Sequence, residues 1–203
     1  MSTGVSKAWT DLKALEPDEI CERTDAAYDA SLARYSIRSF AQEIFVSPSE
    51  KFLSSPTPLG TYILTELASY SHLAILEYLL RAKKVSCFGR LVKPDSLPGG
   101  QIYAKGTHIL PLERLTERFG HDRGAFVARG RSLGGSELDF GDASMRLQPL
   151  PQLPVALILW EPDEEFPARS DFLFYDTCKD QLAPDILWAI AMMTVALMLS
   201  DAS

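Results

Sequence analysis

Apolar and polar positions alternate with two different periods along this chain, and the change of period divides it into blocks. Glu66 to Ala82 carries Leu67, Tyr70, Leu73, Ala74, Leu76, Tyr78 and Leu80, dense enough for a central helix with a wide apolar face. Pro17, followed by Asp18 and Glu19, predicts a helix start, because proline suits the first turn and carboxylates suit the positive end of the dipole. Ile20, Thr24, Ala27 and Tyr28 fall on one face of that helix. Residues 35–40 and 42–46 read as two short strands of a hairpin ended by Ser47-Pro48.

Val85 to Val92 is expected as a strand interrupted at Gly89, Leu97-Pro98-Gly99-Gly100 as a turn, and Pro111 to Phe119 as a helix stopped by Gly120. Gly134-Gly135 closes a further short helical piece. From Asp142 the pattern turns to sheet, with strands over 144–147, 155–160 and 171–175. Pro184-Asp185 opens a closing helix whose apolar residues cover every face. Its apolar run, Ile186 to Leu199, falls short of the roughly 20 residues of a bilayer span. That helix is expected inside the chain's own core, or against a protein partner or second copy through Met193 and Met198, since methionine adapts to irregular surfaces. Helices and strands come in blocks without regular alternation, which predicts an α+β fold with a mainly antiparallel sheet. One domain is expected over residues 1–203, with 1–15 loosely ordered.

Composition narrows the function classes. Hydrophobic residues make up 46% and charged residues 23%, which supports one sizeable core. A net charge of −7 argues against a nucleic-acid groove or an anionic membrane surface, both of which require clustered Lys and Arg. The short basic run Arg81-Ala82-Lys83-Lys84 fits the cationic last turn of a helix. Cys21, Cys87 and Cys178 are far apart and odd in number, as expected of a reducing cytoplasm, and residues 1–9 lack the apolar core of a secretory signal.

The densest chemistry lies in Glu161-Pro162-Asp163-Glu164-Glu165-Phe166-Pro167-Ala168, directly after the apolar run Val155 to Trp160. If Asp163, Glu165 and Asp176 converge, they could hold a hard cation or form an acid/base pair, the site of a metal-assisted hydrolase with His108 as partner. The plainer expectation is that Asp163 or Glu165 accepts backbone N–H bonds to hold a proline-bounded turn while Phe166 plugs the core. The glycine-bearing segment Gly106-Thr107-His108 and the Gly99-Gly100 turn are the places where a ligand could approach bare backbone, and one axial histidine suffices for haem or a corrinoid. His72 is expected half-buried and hydrogen-bonded, and His121 exposed in a turn. Neither glycine pair continues as a phosphate loop, and no cysteine stands in a nucleophile motif.

Several short motifs occur together in order: Ala27-Tyr28-Asp29, Glu77-Tyr78-Leu79-Leu80, Leu97-Pro98-Gly99-Gly100, Leu133-Gly134-Gly135, Gly141-Asp142-Ala143, and the Trp160-to-Ala168 block followed by Leu173-Phe174-Tyr175-Asp176. On these the chain resembles the uncharacterised family known as domain of unknown function 3786, from about Trp9 to Leu199. The resemblance implies the cytoplasm of an anaerobe, among corrinoid, iron-sulfur and one-carbon enzymes, and assigns no catalytic residue. The reading that follows is a binding or accessory protein, without turnover of its own, for a tetrapyrrole or corrinoid cofactor or a cofactor-bearing enzyme.

Overall fold

The chain begins with an amphipathic helix, α1 (Thr3–Lys13). Val5, Ala8, Trp9 and Leu12 form a stripe at helical spacing, and all four are buried in the core with α4 as the neighbouring helix. The expectation of a loosely ordered N-terminus is therefore wrong for this helix: a stripe of four core residues overrides the weak capping signals. The computed structural model describes residues 3–85, 89–104 and 109–202.

Helix α2 (Pro17–Thr24) stops where Asp25 turns left-handed, at φ 55. Ala27 and Tyr28 thus leave the helix and form β1 (Ala27–Asp29), contrary to the single helical face expected through Tyr28. β1 pairs with β2 (Arg34–Ser39), β2 with β3 (Gln42–Ser47), and β3 with the edge strand β4 (Phe52–Ser54), all antiparallel. Thr57 then caps α3 (Pro58–Thr65) by accepting the Gly60 N–H at 3.1 Å. The Thr-Pro pair is a start signal for α3 that a hydrophobic-period reading passes over.

Helix α4 (Ala68–Arg81) fills the centre, as the periodicity predicts. Of the strand expected over 85–92 only β5 (Leu91–Val92) is observed, and residues 86–88 lie outside the described set. Two short 3-10 turns, Pro94–Ser96 and Gly100–Ala104, lead towards α5 (Leu112–Phe119) and α6 (Arg123–Ser132). The second sheet is antiparallel in the order β5, β9, β8, β7, β6, with β6 (Ser136–Glu137), β7 (Ala143–Leu150), β8 (Leu153–Trp160) and β9 (Arg169–Tyr175). β8 is buried from Leu153 to Leu159, and its register puts Met145, Leu157 and Phe172 in one row and Leu147, Val155 and Phe174 in the next. These rows face the core. The fold is α+β.

The closing helix α7 (Pro184–Leu199) is largely buried in its own chain, with Trp188, Met192, Ala196 and Leu199 only partly covered. Met193 and Met198, the residues expected to meet a partner, are both fully buried among core residues, so the core covers the helix at these positions. Its last turn carries no basic residue, and the missing cation comes from outside. Arg129 of α6 donates to the Leu197 carbonyl at 2.6 and 3.2 Å and to the Ala202 carbonyl at 2.7 Å, while Arg118 of α5 donates to the Leu199 carbonyl and pairs with Asp201. Among the described residues, no helix is long and apolar enough to cross a membrane.

The two sheets are joined through the β2–β3 hairpin. Its two-residue loop is Phe40-Ala41, and both residues are left-handed (φ 47 and 62) where Asn-Gly would be relaxed. Burial holds this strain: Phe40 is fully buried, its N–H donates to the Gln148 carbonyl of β7 at 2.9 Å, and Ala41 occupies the space that a side chain at Gly134 would need. Phe40→Ala should lower stability by about 3–5 kcal/mol through the cavity it leaves. Ala41→Gly should instead raise it by roughly 0.5–1 kcal/mol, since relief of about 1–2 kcal/mol of left-handed strain exceeds the added chain entropy. Urea midpoints at constant m-value check both.

Candidate functional site

The acidic turn is a local device. The Asp163 Oδ1 atom accepts the N–H groups of Glu165 (2.8 Å) and Phe166 (2.7 Å), and the Asp163 N–H donates to the Phe166 carbonyl at 3.0 Å. These hydrogen bonds from the Glu165 and Phe166 amides, with a smaller contribution from Arg169, lower the Asp163 pKa below its ordinary 3.8. Glu165 is exposed and does not hold the turn, so the structural role falls to Asp163 alone. Phe166 is 62% exposed and does not plug the core; the tight turn that Asp163 holds leaves its side chain in solvent.

Asp176 lies at the far end of β9, about 20 Å away at the ordinary rise of a seven-residue strand. Its carboxylate accepts the Arg90 N–H at 3.1 Å, and its N–H donates to the Arg90 carbonyl at 2.9 Å. Gly89 is beside it because a Cβ there would come within 2.2 Å of the carboxylate. The structure therefore does not bring Asp163 and Glu165 together with Asp176. Among the described residues, no group of three or more His, Cys, Asp or Glu is placed to hold a metal ion. Cys178 is equally inert: burial first, then Asp176 and Asp180, push its thiol up to about 12.

What gathers at the Asp176 end of β9 is a cleft of about 1000 Å³. One wall is the end of α4 with Glu77 and Arg81; another is the Leu97-Pro98-Gly99 turn with Tyr103; the third is the Lys179–Pro184 segment entering α7. Leu97, Leu182 and Leu187 give it an apolar lining, and Arg81 is engaged by Glu77 at 3.3 Å. Gly99 and Gly100, expected to bare their backbone to a ligand, have an intramolecular reason to be glycine. Gly99 is at φ 77 with Pro184 2.9 Å from the place a Cβ would take, and a Cβ on Gly100 would meet the Pro94 carbonyl at 2.2 Å. The turn nevertheless forms a wall, docked by the Tyr103 hydroxyl donating to the Pro184 carbonyl at 2.9 Å. Gly106 and His108 lie outside the described residues.

The third wall is clamped from beneath. Gln181, 3% exposed, accepts the Lys83 N–H at 2.8 Å and donates to the Lys83 carbonyl at 3.0 Å. Its amide also reaches Gln152, whose own amide donates to the Arg23 carbonyl at 3.0 Å and to Asp25. Arg23 in turn ends α4 by donating to the carbonyls of Leu79 (2.7 Å) and Ala82 (2.9 Å). Sequence reasoning missed this network, although Gln152, set in Leu150-Pro151-Gln152-Leu153-Pro154, is a legible sign of a buried amide; Gln181 follows Lys179-Asp180 and gives no such sign. His72 does match its expectation, half-buried with Nε2 at 2.8 Å from the Leu64 carbonyl, and His121 is exposed.

The chain belongs to the family described as a domain of unknown function, DUF3786, whose model matches residues 16–197. No curated protein and no solved structure matches it.

Two outcomes follow from this geometry. Asp163→Ala should speed hydrogen exchange at the Glu165 and Phe166 amides and Glu165→Ala should not. A depressed carboxyl pKa favours the folded turn above the unfolded value, so in the wild type the same protection is kept at neutral pH and lost as pH falls below about 3.8 through the lower folded pKa. Separately, Gln181→Ala should cost about 1–3 kcal/mol in chemical denaturation, because it leaves the Lys83 peptide and the Gln152 amide short of partners.

Proposed function

We propose that this chain is a binding or accessory domain, without turnover of its own, that holds a cofactor-sized ligand of the tetrapyrrole or corrinoid kind in the cleft beside α7, for itself or for a cofactor-bearing enzyme. The size of the cleft carries the reading. At about 1000 Å³ it stands at the upper end of the roughly 300–1,000 Å³ range of small-molecule sites, which suits a macrocycle better than a small metabolite. Its leucine lining suits an apolar ring system, and the Gln181 clamp keeps its walls fixed before a ligand arrives. His108, in the segment that follows the cleft residue Tyr103, is the proposed axial ligand. The free thiols of Cys21 and Cys178 fit a reducing cytoplasm, and the family resemblance supports an anaerobe's metabolism as the setting.

Titration with haem and with aquocobalamin, followed by absorption spectroscopy, tests this. The wild type should shift the spectrum of at least one of them. Ala183→Trp, which fills the cleft from an exposed position, should abolish the shift, and His108→Ala should change its form. Equal titrations for the wild type and Ala183→Trp would remove the cleft from the argument.

A further inference from the structure

A second cavity, of about 440 Å³, lies against β4, the edge strand of the first sheet, and the reading above makes no use of it. Its apolar wall is made by Trp9 of α1, Phe52 and Leu53 of β4, and Leu64 of α3. Phe52 is 58% exposed beside it, an aromatic face left without cover. Three of the polar side chains on the wall are engaged within the protein: Ser55 donates to the Glu43 carbonyl (2.7 Å), Thr65 to the Thr61 carbonyl (3.1 Å), and His72 meets the Leu64 carbonyl.

Lys51 is different. It is the one Lys, Arg, Asp or Glu on the wall, it is exposed, and no carboxylate among the described residues pairs with it. Its backbone is left-handed at φ 54, in the turn between β3 and β4, which fixes where its side chain starts. An isolated ammonium beside an apolar cavity, with no acid on the wall in a chain of net charge −7, is complementary to one negative charge on an apolar body. A phosphate dianion would call for more donors than a single lysine supplies.

We propose that this cavity binds an apolar monocarboxylate, its carboxylate on Lys51 and its hydrocarbon tail against Trp9, Leu53 and Leu64. The site is separate from the cleft beside α7 and does not depend on what that cleft holds.

Dodecanoate and dodecanol share a chain length and differ at the head group, and either would perturb the fluorescence of Trp9. Dodecanoate should bind the wild type more tightly than dodecanol, by about three- to fivefold, the scale of one solvent-exposed ion pair. Lys51→Asn removes the charge with a residue that tolerates the left-handed backbone, and it should erase that preference while leaving dodecanol affinity unchanged. Thr61→Trp fills the cavity from an exposed helix position and should abolish binding of both. Equal affinities in the wild type, a preference that survives Lys51→Asn, or binding that survives Thr61→Trp would each overturn the proposal.

Discussion

Two apolar helices, α4 and α7, pack against each other in the middle of this protein, and each is finished at its C-terminal end by an arginine from another element. The last carbonyls of a helix have no partner within it, and leaving them unpaired away from water costs about as much as burying any unsatisfied polar group. Here an arginine from a distant element resolves each end. Arg23 reaches from α2 to the Leu79 and Ala82 carbonyls of α4, and Arg129 reaches from α6 to the Leu197 carbonyl of α7, with Arg118 beside it. A guanidinium suits both places because one planar group serves two acceptors at once. The helices are thereby tied to the elements that cover them, and the buried hydroxyls within them, Ser71 of α4 and Thr194 of α7, are satisfied by the Ile63 and Ile190 carbonyls.

From that centre β9 acts as a ruler. At its start is the acidic turn, self-contained and closed by Asp163; at its end is the segment from Asp176 to Pro184, which crosses to the end of α4 and forms the cleft. Asp163 and Asp176 are separated by the length of a strand, and each accepts backbone amides of its own neighbourhood. The cleft walls come from three separate stretches of chain joined by the Gln181 clamp and the Tyr103 hydroxyl.

The strained hairpin tip shows the same economy in another form. Phe40 and Ala41 accept left-handed backbone because the tip is wedged between Gln148 and Gly134, so the join between the sheets is specified by shape as much as by hydrophobicity. Gly134 in the Leu-Gly-Gly motif thus has a structural reason, room for Ala41, that no phosphate-loop reading would supply.

Period and punctuation alone determined the α+β class, the β2–β3 hairpin, α4, the three long strands β7 to β9 and the limits of α7, because each depends on residues within a few positions of one another. The amphipathic stripe of α1 and the Thr57-Pro58 start of α3 are equally local and are legible in the same way. Tertiary structure alone decided which end of β9 each carboxylate occupies, that Phe166 faces solvent, that Met193 and Met198 face the protein's own core, and that Gln181 clasps Lys83 98 positions away. The physical reason is that periodicity records which side of an element avoids water and is silent on what covers it. A cleft, a cap from a remote arginine or a lysine left alone beside an apolar wall exists only once separate elements have packed.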